Sequence, residues 1–174
     1  LTLVMGLAQA KALDRLFGLS AKIKWPNDLV IRGRKVSGTL TEMSAEMEEI
    51  HYVIIGTGIN VNMTCFPEEL KETATSLCEE RGRRLPRAEI ICACMEEFET
   101  CYQAFMEARD LRLLRQDYET YLVNKDRQVC VLDPAGEYTG TALGINDQGE
   151  LMVETGNGIR TVFAGEVSVR GVYG

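Results

Sequence analysis

Lys24-Trp25-Pro26-Asn27-Asp28-Leu29 runs on into Arg34-Lys35-Val36-Ser37-Gly38-Thr39-Leu40-Thr41-Glu42, and Ile54-Ile55-Gly56-Thr57-Gly58-Ile59-Asn60-Val61-Asn62 follows. Residues 22–25 read as a short strand. Residues 29–32 and 35–43 read as a hairpin turning at Arg32-Gly33-Arg34, where glycine supplies the turn. The alternation Val36, Gly38, Leu40 predicts one buried face for the second hairpin strand. Residues 52–56 are continuously apolar, which suits a central strand, and 44–49 read as a polar turn. Lysines, amides and glycines thus gather on strand ends and tight turns, the chemistry that holds a phosphate and a small polar ligand at a sheet edge.

Outward from this centre, Leu3, Leu7, Ala10, Leu13 and Phe17 form one helical stripe stopped by Gly18. Pro67 suggests the start of a helix, with a polar connection at 75–77 and 81–84 beyond it. Pro86 opens a longer helix with Ile90, Cys94, Phe98, Cys101 and Phe105 inward, and residues 111–123 predict another, with Leu111, Leu114, Tyr118, Tyr121 and Leu122 inward. From Gln128 the character changes to short strands at 129–132, 138–145, 151–154, 159–163 and 167–170. Turns at 133–136, 146–149 and 155–158 separate them, the pattern of a small antiparallel barrel.

Composition narrows the function classes. A chain of 174 residues accommodates one large domain, or a domain and a small module. The net charge of −7 argues against a nucleic-acid partner, which needs a basic face, yet local lysines can still dominate a pocket. No apolar run approaches the roughly 20 residues of a membrane span. The six cysteines form no CxxC pair, so they read as reduced core residues, which suits a cytoplasmic protein. The lone histidine, His51, supports neither a Ser-His-Asp triad nor a multi-histidine metal site, and no metal ligands are assigned.

Gly56-Thr57-Gly58 follows an apolar strand, as a dinucleotide-binding loop would. That fingerprint requires a third glycine and then a helix; here Val61 holds the glycine position and no helical pattern follows. The glycines still allow close backbone approach to a ligand or a neighbouring strand, and Asn60 offers both a donor and an acceptor. A bulge with a self-bonded asparagine accounts for the same residues. Lys35 supplies a compact positive charge for phosphate or carboxylate oxygens; alone, it reads equally as a solvated strand-edge lysine.

Together, in this order and spacing, the three segments closely resemble the catalytic core of the biotin protein ligases, the biotin–[acetyl-CoA-carboxylase] ligases. Ser37 and Thr39 stand where that family usually has a small residue and an isoleucine. The resemblance implies an α+β fold: a mixed-sheet catalytic domain of the biotin/lipoate ligase type over residues 1–125, followed by an SH3-like β-barrel over 126–174. It implies biotin, ATP and Mg2+ as substrates and cofactor, biotinyl-5′-AMP as the intermediate, and a lysine of a biotin carboxyl carrier domain as acceptor. Lys35 would be catalytic and contact the biotin carboxylate; Gly38, Leu40, Gly56 and Gly58 would line the biotin pocket. Lys24, Asn27 and Asn60 would serve the adenylate, while Asp28 supports the site and Trp25 packs beneath it. Family members carry a Ser/Thr-Asn strand and a Gly-Arg-Gly-Arg loop ahead of this region, so the catalytic domain is expected to be incomplete at its N-terminus. Arg81-Gly82-Arg83-Arg84 is read as a solvated turn and not as that loop. Lipoate ligation and a non-catalytic interaction module remain alternatives, and homodimerisation is open.

Overall fold

The computed structural model describes residues 1–46, 49–133, 136–163 and 168–170, the last three as backbone. Helix α1 (Thr2–Phe17) ends where Gly18 takes φ 57 and donates its N–H to the Asp14 carbonyl at 2.7 Å. Its expected stripe is buried, and so is Gln9. A four-stranded sheet follows in the order β1 (Lys22–Lys24), β2 (Asp28–Ile31), β3 (Arg34–Glu46), β4 (Glu49–Ile59). Every ladder in it is antiparallel. Among the described residues the expected mixed character is confined to isolated parallel bridges, Ile23 with Leu122 and Lys35 with Ala74.

Two expectations for these strands are corrected. The apolar run read as a central strand is the middle of β4, which lies at the sheet edge, with Tyr52 and Ile54 exposed. Hydrophobicity signals a strand but not its place in a sheet. The buried face of β3 carries Ser37 and Thr39, while Leu40 is 64% exposed. The expected turn at 44–49 is tighter than read, since Ala45 pairs with Ile50 and Glu46 with Glu49; residues 47–48 lie outside the described residues.

Pro67 leads only into a 3-10 turn, Glu68–Leu70. The polar connection read around 75–84 contains α2 (Leu77–Arg81), capped by the Ser76 hydroxyl, which accepts the Glu79 N–H at 3.3 Å. Thr75 and Ser76 are fully buried there, and the backbone bonds to Lys35 and Asn60 explain why. Residues 81–84 are exposed, as a solvated turn requires. Helix α3 (Arg87–Ala108) starts after Pro86 and buries Ile90, Ala93, Cys94 and Cys101. Burial pushes the Cys94 thiol up to about 11, with Glu97 adding to the effect. Of the six cysteines, Cys78, Cys94 and Cys101 are core residues; Cys65 and Cys92 are exposed and Cys130 is intermediate. Helix α4 is shorter than read (Arg115–Tyr121), Leu111 and Leu114 being buried in the turn before it.

All five C-terminal strands are present: β5 (Arg127–Leu132), β6 (Tyr138–Ile145), β7 (Leu151–Thr155), β8 (Gly158–Val162) and β9 (Ser168–Arg170). They form an antiparallel sheet in the order β8-β7-β6-β5-β9. Ile23, Leu29, Ile90, Val131, Ile145 and Val153 belong to one hydrophobic cluster that spans both sheets, each such side chain contributing about 1.5–3 kcal/mol. Among the described residues no helix is long and apolar enough to cross a membrane.

Glu119 on α4 fastens the second sheet. Its carboxylate accepts from Lys125 Nζ at 2.6 Å, Arg115 Nε at 3.3 Å and the Ile145 N–H at 3.3 Å. It lies over Gly144, where a Cβ would come within 2.5 Å of it. Burial pushes this carboxyl up, but the bonds from Lys125 and Arg115 outweigh it and hold the group below its ordinary 4.5. A depressed folded pKa stabilises above the unfolded value, and that gain disappears as the pH falls through the folded one. Glu119→Gln is therefore expected to lower unfolding free energy at neutral pH. Denaturant titrations should show the gap to wild type closing as the pH drops below the ordinary glutamate range.

Candidate active site

One cross-strand row builds the site. Lys24 pairs with Asp28, Asp28 with Gly38, and Gly38 with Gly58, so four strands contribute neighbours to one face. Lys35 and Gly38 are three residues apart, and strict alternation would put them on opposite faces. A register shift between Leu29 and Val30 pairs Ser37 with Leu29 and Lys35 with Val30, leaving Val36 as the extra residue. This bulge returns Lys35 to the Asp28–Gly38 face. Its ammonium lies 2.5 Å from Asp28 Oδ1, and a Cβ at Gly38 would come within 3.1 Å of Lys35 Nζ. Glycine at 38 therefore leaves room for the lysine to lie across the strand.

The opposite face is closed by α1. Ser37 donates to Gln9 Oε1 at 2.6 Å and Gln9 Nε2 donates to Thr39 Oγ1 at 3.0 Å, all three being buried. Lys35 is also fixed through its backbone, its N–H donating to Thr73 and its carbonyl accepting from Thr75. The segment 62–76 is thereby folded back over the strand ends. Between them lies a cavity of about 640 Å3, lined by Lys35, Gly38, Gly58 and Asn60 on one side and by Met63, Phe66 and Leu70 on the other. That volume is of small-molecule size.

Of the residues read from sequence, Lys35, Gly38, Gly58 and Asn60 meet in this cavity. Asn60 donates from Nδ2 to the Thr75 carbonyl at 3.2 Å. Leu40 and Gly56 pair with each other one step further along the same face, outside that lining. Lys24 shares the row but does not line the cavity. Asn27 donates to the Thr39 carbonyl at 3.2 Å and accepts the Thr39 N–H at 2.9 Å, so it supports β3. Sequence reasoning missed the apolar wall and Gln9. The wall comes from an irregular segment without periodicity, whose single clue is the Phe66-Pro67 pair; Gln9 was hidden within an apolar helix. Among the described residues no three His, Cys, Asp or Glu side chains converge as metal ligands.

A sheet end that lays a lysine over a glycine, beside a largely apolar cavity, has the chemistry to hold a small ligand with an anionic group. Residues 1–60 match the biotin/lipoate A/B protein ligase family, and residues 126–170 match the biotin protein ligase C-terminal domain. The biotin protein ligase of Aquifex aeolicus, solved with biotin and ATP, is 31% identical and superposes with a TM-score of 0.86, over 97% of this chain and 70% of that one. The bifunctional ligase/repressor BirA of Bacillus subtilis is 36% identical over 97% of this chain and 52% of its own length. The biotin–[acetyl-CoA-carboxylase] ligase of Mycobacterium tuberculosis is 31% identical over 96% of this chain and 61% of its own length. The chain belongs to the biotin protein ligase family. It spans about half the length of the BirA proteins it matches.

Proposed function

We propose that this chain carries the biotin- and nucleotide-handling residues of an ATP-dependent ligase that attaches biotin to a lysine of a biotin carboxyl carrier domain, in the cytoplasm. The observation that carries this reading is the Lys35 ammonium, held over Gly38 by Asp28, in the lining of the cavity. In the reaction, a biotin carboxylate oxygen attacks the α-phosphorus of ATP and pyrophosphate leaves. The carrier amine then attacks the acyl carbon, and AMP departs. Two anions must be brought together, so the chain's task is positioning and charge compensation. Lys35 offsets the charge growing between carboxylate and phosphate. Gly38 and Gly58 let the ligand approach the backbone, with Leu40 and Gly56 extending that floor. Met63, Phe66 and Leu70 provide an apolar wall for a flat ring, Asn60 serves the phosphate side, Lys24 adds positive charge further along the same row, and Asn27 supports β3. Mg2+ would enter with the ATP phosphates, which need few protein ligands for it.

The test is the intact mass of a carrier domain after incubation with biotin, ATP and Mg2+, using this chain alone and in a form extended at its N-terminus to the relatives' length. A biotin adduct supports the reading, and none with either form defeats it; lipoate as competitor separates the lipoate alternative. A second, non-catalytic reading has its own observation. The β3–β4 ribbon exposes Leu40, Met43, Ile50, Tyr52 and Ile54, and β4 has no outer neighbour among the described residues. Such an edge favours pairing with a second copy, and light scattering across a concentration series reads it directly.

Gly58 gives a sharper prediction. A Cβ there meets nothing within 4 Å, so Gly58→Val is compatible with the strand while its methyls enter the cavity. Biotinyl-adenylate affinity is expected to fall about 10–100-fold with little change in Tm, by calorimetric titration and melting of the same sample.

A further inference from the structure

Trp25 is 1% exposed, and both of its donors leave the four-stranded sheet. Its backbone N–H donates to Asn124 Oδ1 at 2.9 Å, and its indole N–H donates to the Gly149 carbonyl at 3.0 Å. Asn124 is fully buried. Gly149 lies in the β6–β7 turn with φ 84, and a Cβ there would come within 2.7 Å of Leu111 and 3.0 Å of Leu3. The turn is therefore wedged against α1 and the segment before α4, and the Leu111 N–H bonded to the Asp147 carbonyl holds it further. On its other side Trp25 adjoins the site: Asn27 holds Thr39 and Asp28 holds Lys35.

Hydrophobic filling alone does not call for an indole N–H, and a buried one needs an acceptor. Here that acceptor lies in the turn that joins β6 and β7 of the other sheet. Resting on the ligase reading above, we propose that Trp25 is a positioning residue for Lys35. Its indole bond ties residues 24–28 to the β6–β7 turn and its backbone bond ties them to Asn124 ahead of β5, so that Asp28 keeps the Lys35 ammonium over Gly38. The C-terminal sheet thereby shapes the site without placing a residue in the cavity.

The chain has a single tryptophan, so biosynthetic replacement by benzothienylalanine exchanges N–H for sulfur at this position only. Trp25→Phe is the genetic counterpart. The readout is the acetylation rate of Lys35 by a small activated ester, measured by peptide mass spectrometry against Lys71 in the same molecule. Both variants are expected to raise the Lys35:Lys71 ratio about threefold, as the Asp28 ion pair loosens. Ile90→Val, which loosens the same core from α3, is expected to leave the ratio unchanged. If Trp25→Phe does not fold, the benzothienyl protein decides. An unchanged ratio in that protein overturns the proposal, as does an equal rise in Ile90→Val. The readout uses neither biotin nor ATP, so its failure strikes the coupling alone, whereas failure of the carrier assay strikes the ligase reading.

Discussion

Lys35→Ala is expected to lower adenylate formation about 10²–10³-fold, the usual cost of removing one preorganised charge-stabilising donor, while the fold persists. The stability side follows from exposure. The Lys35 side chain is 44% exposed, and an ion pair of that kind contributes only about 0–1 kcal/mol. Its backbone bonds to Thr73 and Thr75 survive the substitution. Asp28 is more enclosed, at 14%, so removing the ammonium takes a positive charge from beside this carboxylate and leaves more negative potential at the edge of the site. The Lys35→Ala/Asp28→Asn pair separates these contributions. If Lys35 acts only by neutralising Asp28, the double variant regains most of the activity; if it stabilises the reacting groups, it does not. Lys35→Arg keeps the charge but sets a broad planar group where Gly38 leaves space for a slim one, and is expected to recover only part of the rate. Pyrophosphate release with biotin and MgATP, beside a thermal melt, reads both quantities. Unchanged release removes Lys35 from the mechanism.

What was legible in the sequence was local. Gly18 ends α1 and Gly33 turns the hairpin because each takes a positive φ. Turn residues at 146–149 and 155–158 separate β6, β7 and β8. Lys35, Gly38, Gly58 and Asn60, which line one cavity, were grouped beforehand only through the family resemblance of the segments that carry them. What escaped depends on pairing between distant residues. The bulge at Val36 is invisible without its partner strand, yet it decides which face Lys35 occupies and why Leu40, and not Thr39, is exposed. The edge position of β4 is a property of the whole sheet. Met63, Phe66 and Leu70 become a wall only because Lys35 draws residues 73–75 alongside β3.

Gln9 is the strongest case of such pairing, and Gln9→Leu is expected to cost about 2–4 kcal/mol. The substitution leaves the Ser37 hydroxyl without its acceptor and Thr39 Oγ1 without its donor, and a buried orphan of this kind costs about 1–3 kcal/mol. In a chain of this size that lowers Tm by roughly 5–12 °C. The relevant comparison is with the family motif, which usually has a small residue and an isoleucine where Ser37 and Thr39 stand. Those two departures sit on either side of Gly38 and point at the same glutamine, so the three polar residues behave as one unit. Removing all partners at once is far less costly than removing one. Gln9→Leu/Ser37→Ala/Thr39→Val is therefore expected to recover most of the lost stability, although Gln9→Leu alone and Ser37→Ala/Thr39→Val alone both lose it. Denaturant unfolding of the four proteins forms a cycle whose coupling free energy measures the unit directly. A triple variant as unstable as Gln9→Leu would mean that α1 needs the shape of the glutamine and not its amide, and the two departures would then have to be explained without Gln9.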